Sequence, residues 1–469
     1  MKKKEIIILG AGITGLTAAF ILAKNGYKVK VLEKETLVGG LAGTIDWDGW
    51  KFDMGAHSFF SKSDDIKAFY KELLGDKFSD VELTAKLYIF EKLITYPLVG
   101  FQIFSSLDSR TMMRAGLDFF LTRLKALFFG IKKTQRLDEW IIRRFGKVLY
   151  GIYFSNYIAR IQGKDPKYLS SDIGEKKIPI FSIRQYLKRE FRGRKDIDTR
   201  NIFSGSHHYF TGGFGAVAEA LREKILEMGG DISTNEAVTG IVVKDNKMVS
   251  IETTRDAYNC QYIPVISTLP LNFLAKAIKP GQIGKGIDMS ALEYTKVPLL
   301  LVKVNKEKVM GYRWTNFSSD RFPFYRVSEC SHDKFKTVPD KKCSLIFEMR
   351  QSRSENGYVA PGKDILETVL PLFNEVFKLH SDEIIDSRTI LLDSAAPIMS
   401  IGYKEALYGV MSRILGIERL YSVGRQGLFT YINADGCAGI GIDIANSIIE
   451  GRAAKTNWEL LNTFHGEKK

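Results

Sequence analysis

Three glycines near the start of the chain are spaced to hold a phosphate. Gly10-Ala-Gly12-Ile13-Thr14-Gly15 comes directly after an apolar run over residues 6–9, so the chain turns sharply out of a strand and into a helix. In a G-x-G-x-x-G turn the first glycine permits the turn. The second lets backbone approach a pyrophosphate, and the third lets the helix pack closely on the strand. The anion then rests on free N–H groups at the positive end of the helix. Glu33 stands about 18 residues beyond Gly15, at the end of a second apolar run, where a carboxylate can accept hydrogen bonds from adenosine ribose hydroxyls. Its charge would repel a 2′-phosphate. Strand, glycines, helix, strand and acid all occur in order, which assigns residues 10–33 to dinucleotide binding.

The elements that must position these residues can be read from periodicity. Residues 6–9 are apolar throughout, as in a central parallel strand buried on both faces. Residues 14–25 read as a helix stopped by Gly26, and 28–33 as a second strand beside the first. Helices are then expected over 66–74, 109–133, 137–151 and 183–192, dense in Phe, Leu, Arg and Lys. Near Tyr209 the α/β texture returns with an amphipathic helix over 215–228, whose apolar set is Ala216, Val217, Ala220, Leu221, Ile225 and Leu226. Strands are expected next over 238–243, 248–253 and 262–267, then over 299–304, 322–327 and 344–349, and a helix over 365–377. From 420–423 to 451 the pattern is strand, glycine-bearing loop, helix. The expected fold class is α/β: a discontinuous Rossmann-like dinucleotide domain (residues 1–63, 205–270 and 390–469) with an inserted helical part (64–204) and a β-rich substrate domain (271–389).

A chain of 469 residues suits two or three domains. Its net charge of +14 raises an anionic substrate, a membrane surface or nucleic acid as partners. The charge is dispersed and no nucleic-acid motif accompanies it, so nucleic acid is not expected. Arg114, Arg123, Lys125, Lys132, Lys133, Arg136, Arg143 and Arg144, interleaved with Phe and Leu, could lie on anionic lipid or form the charged outside of a packed helical domain. The four cysteines (Cys260, Cys330, Cys343 and Cys437) are scattered, which argues against zinc or a disulfide framework and fits a reducing cytoplasm. The basic start and apolar run resemble a signal peptide only until the glycines interrupt them. No stretch approaches the ~20 apolar residues of a spanning helix; the uncharged segment 93–107 is shorter and contains Pro97.

The segment after Glu33 resembles the flavin amine-oxidase superfamily. Gly39-Gly40-Leu41-Ala42-Gly43 places a glycine pair directly after the ribose-binding acid, as in that superfamily's extension, where such glycines let backbone pack along FAD. Val238-Thr-Gly-Ile241 is similar to its adenine-contacting strand, and Leu420-Tyr-Ser-Val-Gly424-Arg425 to the strand that ends at a glycine beside the cofactor. The helix after Asp435 would aim its N-terminus at the flavin, where the helix dipole favours an anionic reduced ring. The resemblance covers nearly the whole chain. It implies FAD, held non-covalently for want of a Cys or His in an attachment context. The residues it implies for the cofactor are Gly10, Gly12, Ile13, Thr14, Gly15, Glu33, Lys34, Gly39, Gly40, Leu41, Ala42, Gly55, Ala56, His57, Val238, Gly424, Arg425, Asn433, Ala434 and Asp435.

Within the superfamily, further segments resemble the branch of protoporphyrinogen-oxidase-like proteins and UDP-galactopyranose mutases. Gly55-Ala56-His57-Ser-Phe59 resembles a mutase segment whose histidine lies by the isoalloxazine, and Thr95-Tyr96-Pro97 a Tyr-Pro segment. Phe324-Tyr325-Arg326-Val327 resembles a strand whose arginine grips the substrate diphosphate, and Gly424-Arg425 through Tyr431-Ile-Asn433-Ala-Asp435 resembles the closing motif. Lys176 stands where the mutases carry arginine, and lysine lacks the bidentate fork that suits a diphosphate. Ile158, Gln162, Val99 and Gly436-Cys437 depart from the pattern as well. His57, Tyr96, Lys176, Arg326 and Tyr431 are therefore the expected catalytic set. Three functions are consistent with it: an FAD-dependent oxidoreductase acting on a small anionic substrate, a mutase-like isomerase of a nucleotide sugar in cell-surface polysaccharide synthesis, and a non-catalytic flavoprotein. A cytoplasmic protein, with contact at the membrane periphery as a further option, fits each.

Overall fold

The computed structural model describes residues 4–82, 84–96, 107–178, 207–281, 283–331, 335–350 and 362–466. The helix expected over 183–192, and Pro97 and Val99, lie outside the described residues.

A five-stranded parallel sheet runs in the order Leu420–Ser422, Val265–Ser267, Glu5–Leu9, Lys28–Leu32, Asp231–Ser233. It draws on three separated stretches of chain, and the expected α/β fold class is the one observed. Helix Ile13–Lys24 leaves the central strand and packs against helices Ala216–Glu227 and Ala434–Ile449. The approach is close: a Cβ on Gly15 would lie 2.1 Å from the Gly10 carbonyl oxygen, and one on Gly441 would lie 2.7 Å from that of Thr14. One core unites these elements, with Ile8, Leu9, Leu16, Leu22, Val31 and Ile266 all buried in it.

A seven-stranded sheet faces this unit, in the order Ile384–Pro397, Tyr294–Val304, Cys343–Met349, Phe324–Ser331, Trp314–Phe317, Ala85–Ile89, Lys92–Thr95. Its pairs are antiparallel except that Trp314–Phe317 runs parallel to Ala85–Ile89. Register aligns one residue from each of six strands in a single row: Leu87, Asn316, Arg326, Glu348, Leu299, Ile390. Directly paired residues share a face of a pleated sheet, and all six line the same cleft.

Several expectations give way here. The stretch 64–204 is not wholly helical: the hairpin Ala85–Ile89 and Lys92–Thr95 joins the seven-stranded sheet, and Phe78–Val81 pairs with His207–Phe210. Its turn residues, Phe90 and Glu91, sit at φ +52° and +57° without the Asn-Gly or Asp-Gly that usually marks such a turn. The strand Ile384–Pro397 crosses the expected boundary at 389/390; as a half-exposed edge strand it carries no continuous apolar run. The helix expected over 137–151 stops at Phe145, because Gly146 takes φ +85°. Beyond it come a short turn, Lys147–Leu149, a π-helical stretch, Tyr150–Ser155, and the helix Asn156–Gln162. Helices Tyr403–Leu415 and Ala453–His465 lie outside the expected elements. Among the described residues no helix is long and apolar enough to cross a membrane, and no group of His, Cys, Asp or Glu is arranged to hold a metal ion.

Candidate functional site

A cleft of about 2440 Å³ runs from the glycine turn to the six-residue row. At its first end Gly10 turns the chain at φ +100°, a conformation that favours glycine. A Cβ on Gly12 would meet no protein atom within 4 Å, so the space over this residue belongs to the cleft. Alongside, the Gly39 N–H donates to the Ala11 carbonyl at 2.8 Å, which lays the glycine pair beside the turn. Gly39 itself takes φ +102°, and a Cβ there would come within 2.9 Å of Gly43. Glu33 is buried. One carboxylate oxygen accepts the Ala11 N–H at 2.8 Å and the other the Glu35 N–H at 3.0 Å. A carboxylate offers about four acceptor positions, so capacity for hydroxyl donors is left over. Ile13, Thr14, Lys34, Gly40, Leu41, Ala42 and Val238 line this same end, whereas Gly15 is packed beneath it.

The closing segment reaches the cleft from the far end of the chain. The Thr14 hydroxyl donates to the Cys437 carbonyl at 3.0 Å, and Gly424 sits against Thr14, where a Cβ would come within 3.0 Å of its hydroxyl oxygen. Arg425 spends its guanidinium on the carbonyls of Ile432 (2.8 Å) and Ala395 (2.9 Å) and lies over the Tyr431 ring at 4.3 Å. It therefore acts as a clamp on the loop that leads to Asn433, the N-cap of the Ala434–Ile449 helix. Asn433, Ala434 and Asp435 line the cleft at that helix end.

The opposite wall is the row across the seven-stranded sheet. Arg326 donates from Nε to Asn316 at 3.0 Å and from Nη1 to a Glu348 oxygen at 3.2 Å. The same Glu348 oxygen accepts the Ala56 N–H at 3.0 Å, which ties the Gly55-Ala56-His57 turn to the row. Burial works against the Arg326 charge, but Glu348 together with Tyr157, Tyr325 and Tyr431 outweighs it and holds the guanidinium above the usual arginine range. The Tyr157 hydroxyl donates to the Asn316 amide oxygen at 3.5 Å and lies beside Tyr96 and Arg326. The neighbouring Tyr157 hydroxyl, with burial, pushes Tyr96 up; burial pushes Tyr157 up despite Arg326. Both phenols therefore stay neutral.

Of the expected catalytic set, His57, Tyr96, Arg326 and Tyr431 line this one cleft. The His57 ring stacks on Phe214 at 4.8 Å, and its Nδ1 lies 3.0 Å from the Gly55 carbonyl. That contact requires the proton on Nδ1, which leaves Nε2 of the neutral ring as an acceptor. Lys176 falls in helix Asp172–Lys177, and its side chain lies outside the described residues. Sequence reasoning missed Asn316, Glu348 and Tyr157. The signal for Glu348 was available: it is the one charged residue in Cys343–Met349, a strand buried along its whole length, and such a charge needs a partner. Beyond the row the wall turns apolar, with Ile89, Phe145, Leu149, Phe154 and Ile158.

Known proteins divide along the same line. Residues 8–73 match the family model described as an NAD(P)-binding Rossmann-like domain. The chain is 26% identical to prolycopene isomerase 1, chloroplastic, of an Oncidium hybrid cultivar over 285 residues, covering 53% of this chain and 45% of that protein. It is 24% identical over 457 residues to 1-hydroxycarotenoid 3,4-desaturase of a Flavobacterium species, covering 87% and 89%. The chain spans about half the length of the first curated relatives it matches. Among solved structures, reduced UDP-galactopyranose mutase superposes with a TM-score of 0.80 at 20% identity, over 98% of this chain and 99% of that one. Putrescine oxidase bound to putrescine gives 0.64 at 16%, over 96% and 99%. The chain shares the fold of these two structures. The cleft lies between its two large sheets.

Proposed function

We propose that the protein is an FAD-dependent oxidoreductase. The observation that carries this reading is that one continuous cleft joins a dinucleotide seat at Gly12 and Glu33 to a polar row at Arg326, with His57 between them. The residues fit FAD. Gly12 leaves open space for a pyrophosphate, Glu33 keeps acceptor capacity for ribose hydroxyls, and the Ala434–Ile449 helix presents its first turn to the cleft. In this reading the segments 1–63, 205–270 and 398–469 form the cofactor part, and the seven-stranded sheet, which takes in residues 390–397, carries the substrate. The burial that pushes the Cys437 thiol up keeps it protonated, which supports a non-covalent cofactor. The cysteines at 260, 330, 343 and 437 are free, in keeping with a cytoplasmic setting.

Bound FAD would supply the redox chemistry, taking a hydride equivalent from the substrate. The protein's own groups orient that substrate and set its electrostatics. Arg326, held by Asn316 and Glu348, presents guanidinium N–H donors in a fixed place, with neutral Tyr96 and Tyr157 beside it. A small anionic substrate fits that arrangement, with its apolar remainder against Leu87, Ile89 and Ile158. A mutase-like reaction on a nucleotide sugar is the second reading, favoured by the same Arg326 as a seat for a diphosphate. Glu348 counts against it, since it already occupies one arm of the guanidinium.

Glu33→Ala removes the acceptor of the Ala11 N–H and the ribose contact together, so FAD affinity should fall about ten- to hundred-fold, read by titrating flavin into stripped protein. Anaerobic mixing with candidate amines, alcohols and porphyrinogens should bleach the oxidised flavin for at least one class. If none bleaches it and UDP-sugars bind only after dithionite reduction, the mutase-like reading replaces this one. If neither occurs, the protein is a non-catalytic flavoprotein.

A further inference from the structure

The helix Ser109–Phe129 is amphipathic in the wrong direction for a helix at the surface of a protein in water. Leu117, Phe120, Leu121, Leu124, Leu127 and Phe128 recur at the i, i+3, i+4, i+7 spacing and share an arc of about 120° at 100° per residue. That arc is exposed, from 39% at Leu124 to 78% at Leu127. The opposite face is the seated one. Ala115 is fully buried, and the Asp118 carboxylate accepts the Val148 N–H at 2.8 Å from the turn below. A helix covered by water would bury the leucines and expose the aspartate.

The charges around this face choose its occupant. Arg114 and Lys125 flank one edge of the arc and Arg123 the other, and Lys132 and Lys133 come just after the helix end. Asp118 is the sole acid in residues 109–133, and it is turned inward. A second copy of this chain would set the same basic edges against each other. An anionic bilayer surface complements both features: acyl chains take the apolar arc, and headgroups take the lysines and arginines.

We infer that Ser109–Phe129 is a lipid-docking helix that lies in the headgroup region of an anionic membrane. Its docking does not depend on the cofactor. It does bear on access to the cleft, because the helix rests on Leu137–Phe145 and Lys147–Leu149, whose Phe145 and Leu149 line the apolar end. Docking sets that end beside the bilayer.

The test is co-sedimentation of the full chain with vesicles of phosphatidylcholine alone or mixed with phosphatidylglycerol. The protein should pellet with the anionic vesicles and stay in solution with the neutral ones. Replacing Leu117, Phe120, Leu124 and Phe128 together by serine should abolish pelleting while melting temperature holds, since these side chains are exposed. Arg114→Gln with Lys125→Gln should cut partitioning about 30-fold at low salt. If the serine variant fails to fold, a fluorophore on Phe120→Cys should shift to the blue with anionic vesicles. Absence of vesicle binding, binding that survives the serine replacements, an unmoved fluorophore, or a solution dimer dissolved by those replacements would each overturn the inference.

Discussion

Gly12→Ala should leave the protein folded and strip it of FAD. The backbone at Gly12 is at φ −73° and ψ 174°, which any residue adopts, and a Cβ there meets nothing within 4 Å. Stability of the flavin-free protein should therefore change by no more than about 0.5 kcal/mol. The added methyl stands where the pyrophosphate would approach the backbone, so retained flavin should drop at least about a hundred-fold. Gly15→Ala is the contrasting case. Its Cβ would fall 2.1 Å from the Gly10 carbonyl oxygen, so helix and strand must separate, at a cost of about 3 kcal/mol. The two variants are told apart by measuring flavin per chain beside urea unfolding of the stripped proteins. A Gly12→Ala protein that keeps stoichiometric FAD would mean that the cofactor does not run over this turn.

The second large effect is at Glu348. Its carboxylate is 8% exposed and is shared between Arg326 and the Ala56 N–H. Glu348→Ala leaves a largely buried guanidinium without its counter-charge, and removing one partner of such a pair costs about 3 kcal/mol. Glu348→Gln removes the same counter-charge but keeps an acceptor oxygen for Ala56 and Arg326, so it should lose less, about 2 kcal/mol. Arg326→Met combined with Glu348→Leu should recover most of the loss, because a packed apolar pair has no charge to strand. Urea midpoints of the three variants decide the matter. A Glu348→Gln protein as stable as the original would show that the carboxylate holds no charge in place. The alanine variant should also loosen the Gly55-Ala56-His57 turn, and with it the His57 ring.

These two sites differ in how far the sequence reveals them. The chemistry of Gly12 and Glu33 is local: both lie within one strand–helix–strand unit, so spacing alone exposes them. Glu348 and Asn316 gain their meaning only from register, which brings residues 316, 326 and 348 side by side from three strands. Arg326 could be singled out through its segment, but not the partner that neutralises it. Arg425, expected at the cofactor, lines the cleft and also clamps the loop through the carbonyls of Ile432 and Ala395, a contact that its sequence position does not reveal. The hairpin at 85–95 escapes a sequence reading because Phe90 and Glu91 adopt turn angles that their residue types do not advertise. The strand Ile384–Pro397 escapes it because edge strands exposed to water keep polar residues along their length. Local signals thus reach the cofactor end of the cleft, and long-range pairing conceals the substrate end.

The most direct measurement is to purify the protein, denature it, and chromatograph the supernatant against FAD, FMN and NAD standards. Free FAD is expected, one per chain, with none left on the precipitated protein. No flavin at all, NAD in its place, or flavin that stays with the pellet would contradict an FAD-dependent enzyme built on this cleft.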